Sequence, residues 1–69
     1  MKSIVAFSKN LKKQLEQKNL TVKQLSEQSG VSESTIRAIL NGKIKNLQLK
    51  TAYYLCATLK ITITEMSSE

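Results

Sequence analysis

Apolar residues recur along this chain at helical intervals, and the polar residues between them divide it into short helices and turns. Phe7, Leu11 and Leu15 fall every four residues, with Ile4 one turn earlier on the same stripe. That period predicts an amphipathic helix over Ser3 to Lys18. Lys12, Lys13 and Gln14 take its wet side, Asn19 ends it, and Leu20 turns into the core. A second helix is expected over Val22 to Ser29, with Leu25 and Val22 facing inward. Thr21 followed by Gln24 matches a capping box, in which each side chain satisfies a free backbone N–H at the other residue. Gly30 stands where a left-handed residue is wanted, because glycine has no Cβ to clash there.

Val31 then packs inward, and a third helix is expected over Glu33 to Leu40 with Ser32 as its N-cap. Ile36, Ile39 and Leu40 form its apolar stripe, and Asn41-Gly42 stops it. A fourth helix begins between Leu47 and Leu49 and runs to about Leu59, with Leu49, Ala52, Leu55, Cys56 and Leu59 at helical spacing. Asn46 and Gln48 compete for its cap. Tyr53 and Tyr54 point about 100° apart on such a helix, so at most one is central to the core. A last short helix opens at Thr62, where Thr62 and Glu65 repeat the capping-box pattern. Ile61, Ile63 and Met66 offer its apolar contacts, and residues Ser67 to Glu69 are expected to fray. The alternation in ITITEM also fits a strand, but one strand without a partner leaves its ladder unpaired.

The expected architecture is therefore all-α, a compact domain of four to five helices spanning 1–69. At 69 residues the core is modest, and domains of this size are only marginally stable. Eleven Lys and Arg face five acids, for a formal charge of +6. That balance fits the electrostatic footprint of a nucleic-acid binder. The basic residues cluster: Lys9, Lys12 and Lys13 lie on the first helix, and Lys43, Lys45 and Lys50 flank the loop after the third.

Other chemistries find little support. There is no histidine and a single cysteine, which excludes an intrachain disulfide and the usual zinc ligand sets, so no metal or cofactor is expected. Cys56 sits among apolar neighbours and reads as a small buried hydrophobe. No catalytic base, glycine-rich phosphate loop or carboxylate cluster is present, so an enzyme is not expected. Three aromatic residues give no stacking platform for RNA. No apolar run approaches the ~20 residues that span a membrane, and MKSIVAFSKN lacks a secretory signal, so a cytoplasmic setting is expected.

Residues 21–42 carry the most specific pattern: two short helices joined at Gly30, the second polar on its outer side. Leu25 and Ser26 precede the glycine, and Ile36 and Ile39 follow it at helix-turn-helix spacing. This leaves Glu33, Ser34, Arg37 and Ala38 outward, as a helix entering a DNA major groove requires. The chain resembles the Xre family, the helix-turn-helix class named for the lambda Cro and cI repressors. The resemblance runs from about Phe7 to Met66. It is carried by the Leu11 and Leu15 stripe, Leu20-Thr21, Gln24-Leu25-Ser26, Gly30-Val31-Ser32, Ser34-Thr35-Ile36, Asn41-Gly42-Lys43 and Leu59-Lys60-Ile61-Thr62.

The resemblance implies a five-helix, lambda-repressor-like domain that binds operator DNA, often as a homodimer on inverted half-sites; no small-molecule ligand is expected. Position by position it places Ser32, Glu33, Ser34 and Arg37 near base edges. Arg37 can fork onto guanine O6 and N7, with a solvated or phosphate-bound arginine as the alternative. Glu33 can accept from cytosine N4, or simply complement the helix dipole. Asn41, Lys43 and Lys45 are expected along the phosphate backbone, with Thr35 beside them. The family's usual glutamine at the start of the second helix is Val22 here, which leaves Lys23 or Gln24 to supply that phosphate contact. Leu40 replaces a commonly polar residue and implies more burial. Leu47 and Gln48 replace the usual proline and capping serine before the fourth helix. The expected function is a transcriptional regulator, of phage or mobile-element repressor type. The alternatives are an antitoxin, a restriction-modification controller, or a protein-interaction module that kept the fold.

Overall fold

A computed structural model describes residues 3–44 and 47–68 of the chain. It consists of α1 (Ser3–Lys18), α2 (Val22–Ser29), α3 (Glu33–Leu40), α4 (Leu49–Leu59) and α5 (Ile63–Met66), with no strand among the described residues. The all-α expectation holds, and ITITEM opens a helix. Thr21 and Thr62 both form complete capping boxes, with Gln24 and Glu65 respectively. Each threonine side chain accepts from the N3 backbone, while the N3 side chain accepts from the cap backbone N–H, satisfying donors the helix itself cannot. The cap of α4 is Gln48, whose side chain makes no capping bond; Asn46 lies outside the described residues.

Helix ends are closed by left-handed residues. Asn19, Gly42 and Lys60 have φ of 54°, 69° and 58°. The N–H one residue beyond each reaches back five positions: Leu20 to Leu15 O, Lys43 to Ala38 O, Ile61 to Cys56 O, at 2.9, 2.9 and 3.0 Å. These are Schellman closures. Leu20 and Ile61 pack against the core immediately past their turns, and so supply the hydrophobic contact that accompanies the motif.

The core joins Phe7, Leu11 and Leu15 of α1 to Leu25, Val31, Ile36, Ile39, Ala52, Leu55, Cys56, Leu59 and Met66. It follows the predicted stripes apart from Ala6, Ile4 and Leu49. Ala6 is buried as well. Ile4 is half-buried. Leu49, expected inward, is 73% exposed, and Tyr53 and Tyr54 are 60% and 43% exposed, so neither tyrosine enters the core. The residues facing inward on α4 are Ala52, Leu55, Cys56 and Leu59. Leu49 lies one turn before that set and toward its edge, where α4 has begun but nothing covers this side chain.

The last described residues, Ser67 and Ser68, are held by hydrogen bonds in the structure. The N–H groups of Ser67 and Ser68 donate to Ile63 O and Glu65 O at 2.9 and 3.2 Å. Asn10 Nδ2 reaches from α1 to Met66 O at 2.7 Å and Ser68 O at 2.8 Å. Glu69 lies outside the described residues. No helix among those described is long and apolar enough to cross a membrane.

Candidate nucleic-acid interface

The α2–turn–α3 unit is rigid for local reasons. The Gly30 N–H donates to Ser26 O at 2.9 Å, and its φ of 79° turns the chain sharply. Val31 N–H donates to Ser29 Oγ at 3.1 Å, and the Val31 side chain is buried in the core. Ser32 then caps α3, its Oγ accepting from Thr35 N at 3.2 Å. Ile36 and Ile39, both fully buried, pin the inner face of α3 against the core shared with α1 and α2.

That anchoring decides what α3 shows to solvent. At about 100° per residue, the direction opposite Ile36 and Ile39 is occupied by Ser34 and Asn41, with Arg37 and Ala38 to either side. Ser34, Arg37 and Asn41 are exposed, and Glu33, Thr35 and Ala38 are half-buried on the flanks. Sequence spacing expects Ser34 and Arg37 outward, as found, and groups with them Glu33 and Ala38, which are half-buried on the flanks, while Asn41 reads as part of the loop. In the structure Asn41 caps α3 and continues its outward stripe. The stripe is small and polar apart from Arg37, so a groove wall can approach it closely.

Two charged groups meet on this face. Arg37 Nη2 lies 3.2 Å from Glu33 Oε1. An exposed pair at i,i+4 stabilises a helix by only about 0.3–0.5 kcal/mol, less in salt, so the pair contributes little to holding α3 in place. Ser32 is more committed: its hydroxyl proton points to Thr35 Oγ1 at 2.9 Å while its oxygen accepts from Thr35 N.

The flanking cations and amides frame the stripe. Lys23 and Gln24 are exposed in the first turn of α2. The capping box engages Gln24 Oε1 with Thr21 N–H at 3.0 Å, so the amide NH2, a pair of donors, is the free end of that side chain. Sequence reasoning named Gln24 but not this orientation, which the capping box itself dictates. Lys43 is exposed just past the Gly42 turn, with its backbone fixed by the bond to Ala38 O. Lys45 lies outside the described residues. Cys56 is remote from this face and buried in the core, and that burial raises its thiol pKa. Among the described residues no group of three or more His, Cys, Asp or Glu is placed to hold a metal ion.

A short helix held by its apolar side against a second helix, turned at a left-handed glycine and presenting a polar outer stripe, defines a helix-turn-helix domain. The chain belongs to the family of Cro/C1-type helix-turn-helix DNA-binding domains, which it matches over residues 10–67. This agrees with the resemblance to the Xre class. The fold is similar to that of a chain in the solved SinR protein–SinI protein complex, with a TM-score of 0.85 and 19% sequence identity over 91% of this chain. The present chain spans 61% of the length of that one, and at this identity the likeness establishes the fold. No curated protein matches the chain.

Proposed function

We propose that the protein is a sequence-specific regulator of transcription that binds double-stranded operator DNA by laying α3 in the major groove, as a repressor of phage or mobile-element type. The observation that carries this reading is the outward stripe Ser34–Arg37–Asn41 on a helix anchored by Ile36 and Ile39, within a DNA-binding family and on a chain of charge +6. A helix with side chains is about 10–12 Å across and the major groove about 12 Å wide, so α3 fits it. Ser32, Glu33, Ser34 and Arg37 are the residues assigned to the base side. Lys23, Gln24, Thr35, Asn41, Lys43 and Lys45 are assigned to phosphates, where contacts set position and affinity rather than sequence. The mechanism needs no bond chemistry, so the protein is proposed as a non-enzyme: occupancy of the operator excludes polymerase.

The whole of 1–69 acts as one binding unit in this reading, with 21–42 as its helix-turn-helix, and works in the cytoplasm. Eight residues of α3 rise about 12 Å, the height of three to four base pairs. That is too short a text to single out an operator, and a homodimer on inverted half-sites doubles it. Selection from a randomised duplex pool at ~150 mM salt tests the proposal. Recovery of an inverted repeat supports it. Recovery of no sequence, with binding that fades as salt rises, leaves only the electrostatic term and sinks it. Sedimentation at micromolar protein that finds only monomer, on and off the selected site, removes the dimer.

A further inference from the structure

Glu33 and Arg37 form an ion pair on the outer face of α3. Arg37 Nη2 lies 3.2 Å from Glu33 Oε1, and the side chains are 59% and 39% exposed respectively. Such a pair is a weak stabiliser of the helix, and Glu33 also complements the helix dipole from the first turn of α3; neither role requires an acid on the face that meets DNA. Glu33 is the acidic residue of α3, on a protein with eleven basic and five acidic residues. A carboxylate on a surface that meets phosphates opposes the binding of every duplex, whatever its sequence. Arg37, by contrast, has five N–H donors. Glu33 engages its Nη2 nitrogen, so enough donors remain for a two-point contact with guanine O6 and N7.

We propose that Glu33 is a positioning residue for Arg37 and thereby sets DNA specificity: it orients the guanidinium along the outer stripe of α3 and withholds its charge from phosphate. The inference rests on the reading of α3 as the groove helix. A free arginine is long and mobile, and finds the nearest phosphate oxygen, which adds the same affinity to all sequences. Paired with Glu33, Arg37 is biased toward one orientation before DNA arrives, and a neighbouring negative charge offsets its pull on the backbone. When the groove displaces water, the attraction between carboxylate and guanidinium strengthens, and the remaining face of the fork points at base edges. Glu33 therefore acts through Arg37 and not by reading a cytosine on its own.

The experiment measures binding of wild type, Glu33→Gln, Glu33→Asp, Arg37→Ala and the double variant Glu33→Gln/Arg37→Ala. The probes are the selected duplex, its single-base variants and a scrambled duplex, each over a salt series. Glu33→Gln is expected to lose about three-fold or more of the preference for guanine at the base pair read by Arg37. It is also expected to gain affinity for scrambled duplex, with a salt slope steeper by about one. Glu33→Asp, which can still pair, retains part of the preference. In the Arg37→Ala background, Glu33→Gln leaves base preference unchanged and raises affinity for every duplex by a similar factor, because only the carboxylate's repulsion of phosphate is lost. Wild-type preference and slope in Glu33→Gln overturn the proposal. So does an equal loss of preference in the Arg37→Ala background, since Glu33 then reads a base by itself. If wild type shows no base preference at all, the groove reading of α3 fails and this proposal with it. A wild-type preference that ignores Glu33 sinks the proposal alone.

Discussion

Asn10 and Met66, 56 positions apart in the sequence, are joined by a 2.7 Å hydrogen bond from the Asn10 amide to the Met66 carbonyl. The second hydrogen of the same amide has a partner in Ser68 O at 2.8 Å. One side chain of α1 thus closes the open carbonyls at the end of α5, and does so beside Met66, whose own side chain is fully buried. A four-residue helix has too few internal bonds to persist alone, so α5 depends on this clasp and on Met66. With each such bond worth about 1 kcal/mol net, Asn10→Ala is expected to lower stability by about 1–2 kcal/mol. Asn10→Asp, equal in shape but unable to donate, is expected to be at least as damaging because its carboxylate faces carbonyl oxygens. Urea midpoints for both variants check this. An unchanged midpoint in Asn10→Asp would show that the bonds do not contribute.

Gly30 and Lys60 make an opposed pair. Both are left-handed, at φ 79° and 58°, but only one is glycine. A Cβ added at Gly30 meets nothing within 4 Å, so Gly30→Ala tests backbone conformation with no steric clash. The left-handed penalty predicts a loss of about 1 kcal/mol. Lys60→Gly relieves the same penalty and is expected to gain about 0.5–1 kcal/mol. For a domain of this size each kcal/mol moves Tm by about 4–8 °C, so calorimetry separates the two. Shifts of the same sign in both variants would refute the argument.

Much of this was legible because it is local. The capping boxes at Thr21 and Thr62, the turn at Gly30 and the ends of α1, α2 and α3 each depend on a few adjacent residues, and the sequence states them directly. The outward stripe of α3 followed from the spacing of Ile36 and Ile39. What escaped depends on contacts between elements. Leu49 fits the apolar period of α4, but periodicity does not say whether a neighbour covers the first turn. Asn10 is one polar residue among several on α1, and nothing nearby marks it as the partner of a chain end 56 positions away. The Glu33–Arg37 pair is allowed by i,i+4 spacing, but spacing does not distinguish two residues that pair from two that each face DNA.

The division of labour at the interface makes Lys43 and Arg37 behave differently. Lys43 is exposed beside the Gly42 turn and is assigned to phosphate. Lys43→Ala is expected to weaken all duplexes by a similar factor and to reduce the salt slope by about one. Arg37→Ala is expected to relax preference at one base position, against a background of smaller general loss. Binding to a panel of single-base variants at several salt concentrations resolves the two signatures. Equal losses on every sequence for both variants would remove Arg37 from the base-reading set.

Cys56 carries a prediction about alkaline stability. The thiol is buried in the core, and burial raises its pKa above the ordinary value because the thiolate is poorly solvated there. In the unfolded chain it titrates near the free-thiol value of about 8.5. Below that value both states hold the proton and the thiol has no effect on the pH dependence. Above it the unfolded state releases the proton first, so the native state binds more protons and stability falls as pH rises, until the native thiol also ionises. Cys56→Ala removes this contribution at the cost of some packing. The variant is expected to be less stable than wild type at pH 7, with the gap narrowing as pH rises through the alkaline range. Urea unfolding of both proteins from pH 7 to 10 measures the gap directly, and a gap that stays constant or widens would show that the thiol is no more reluctant to ionise in the fold than in the unfolded chain.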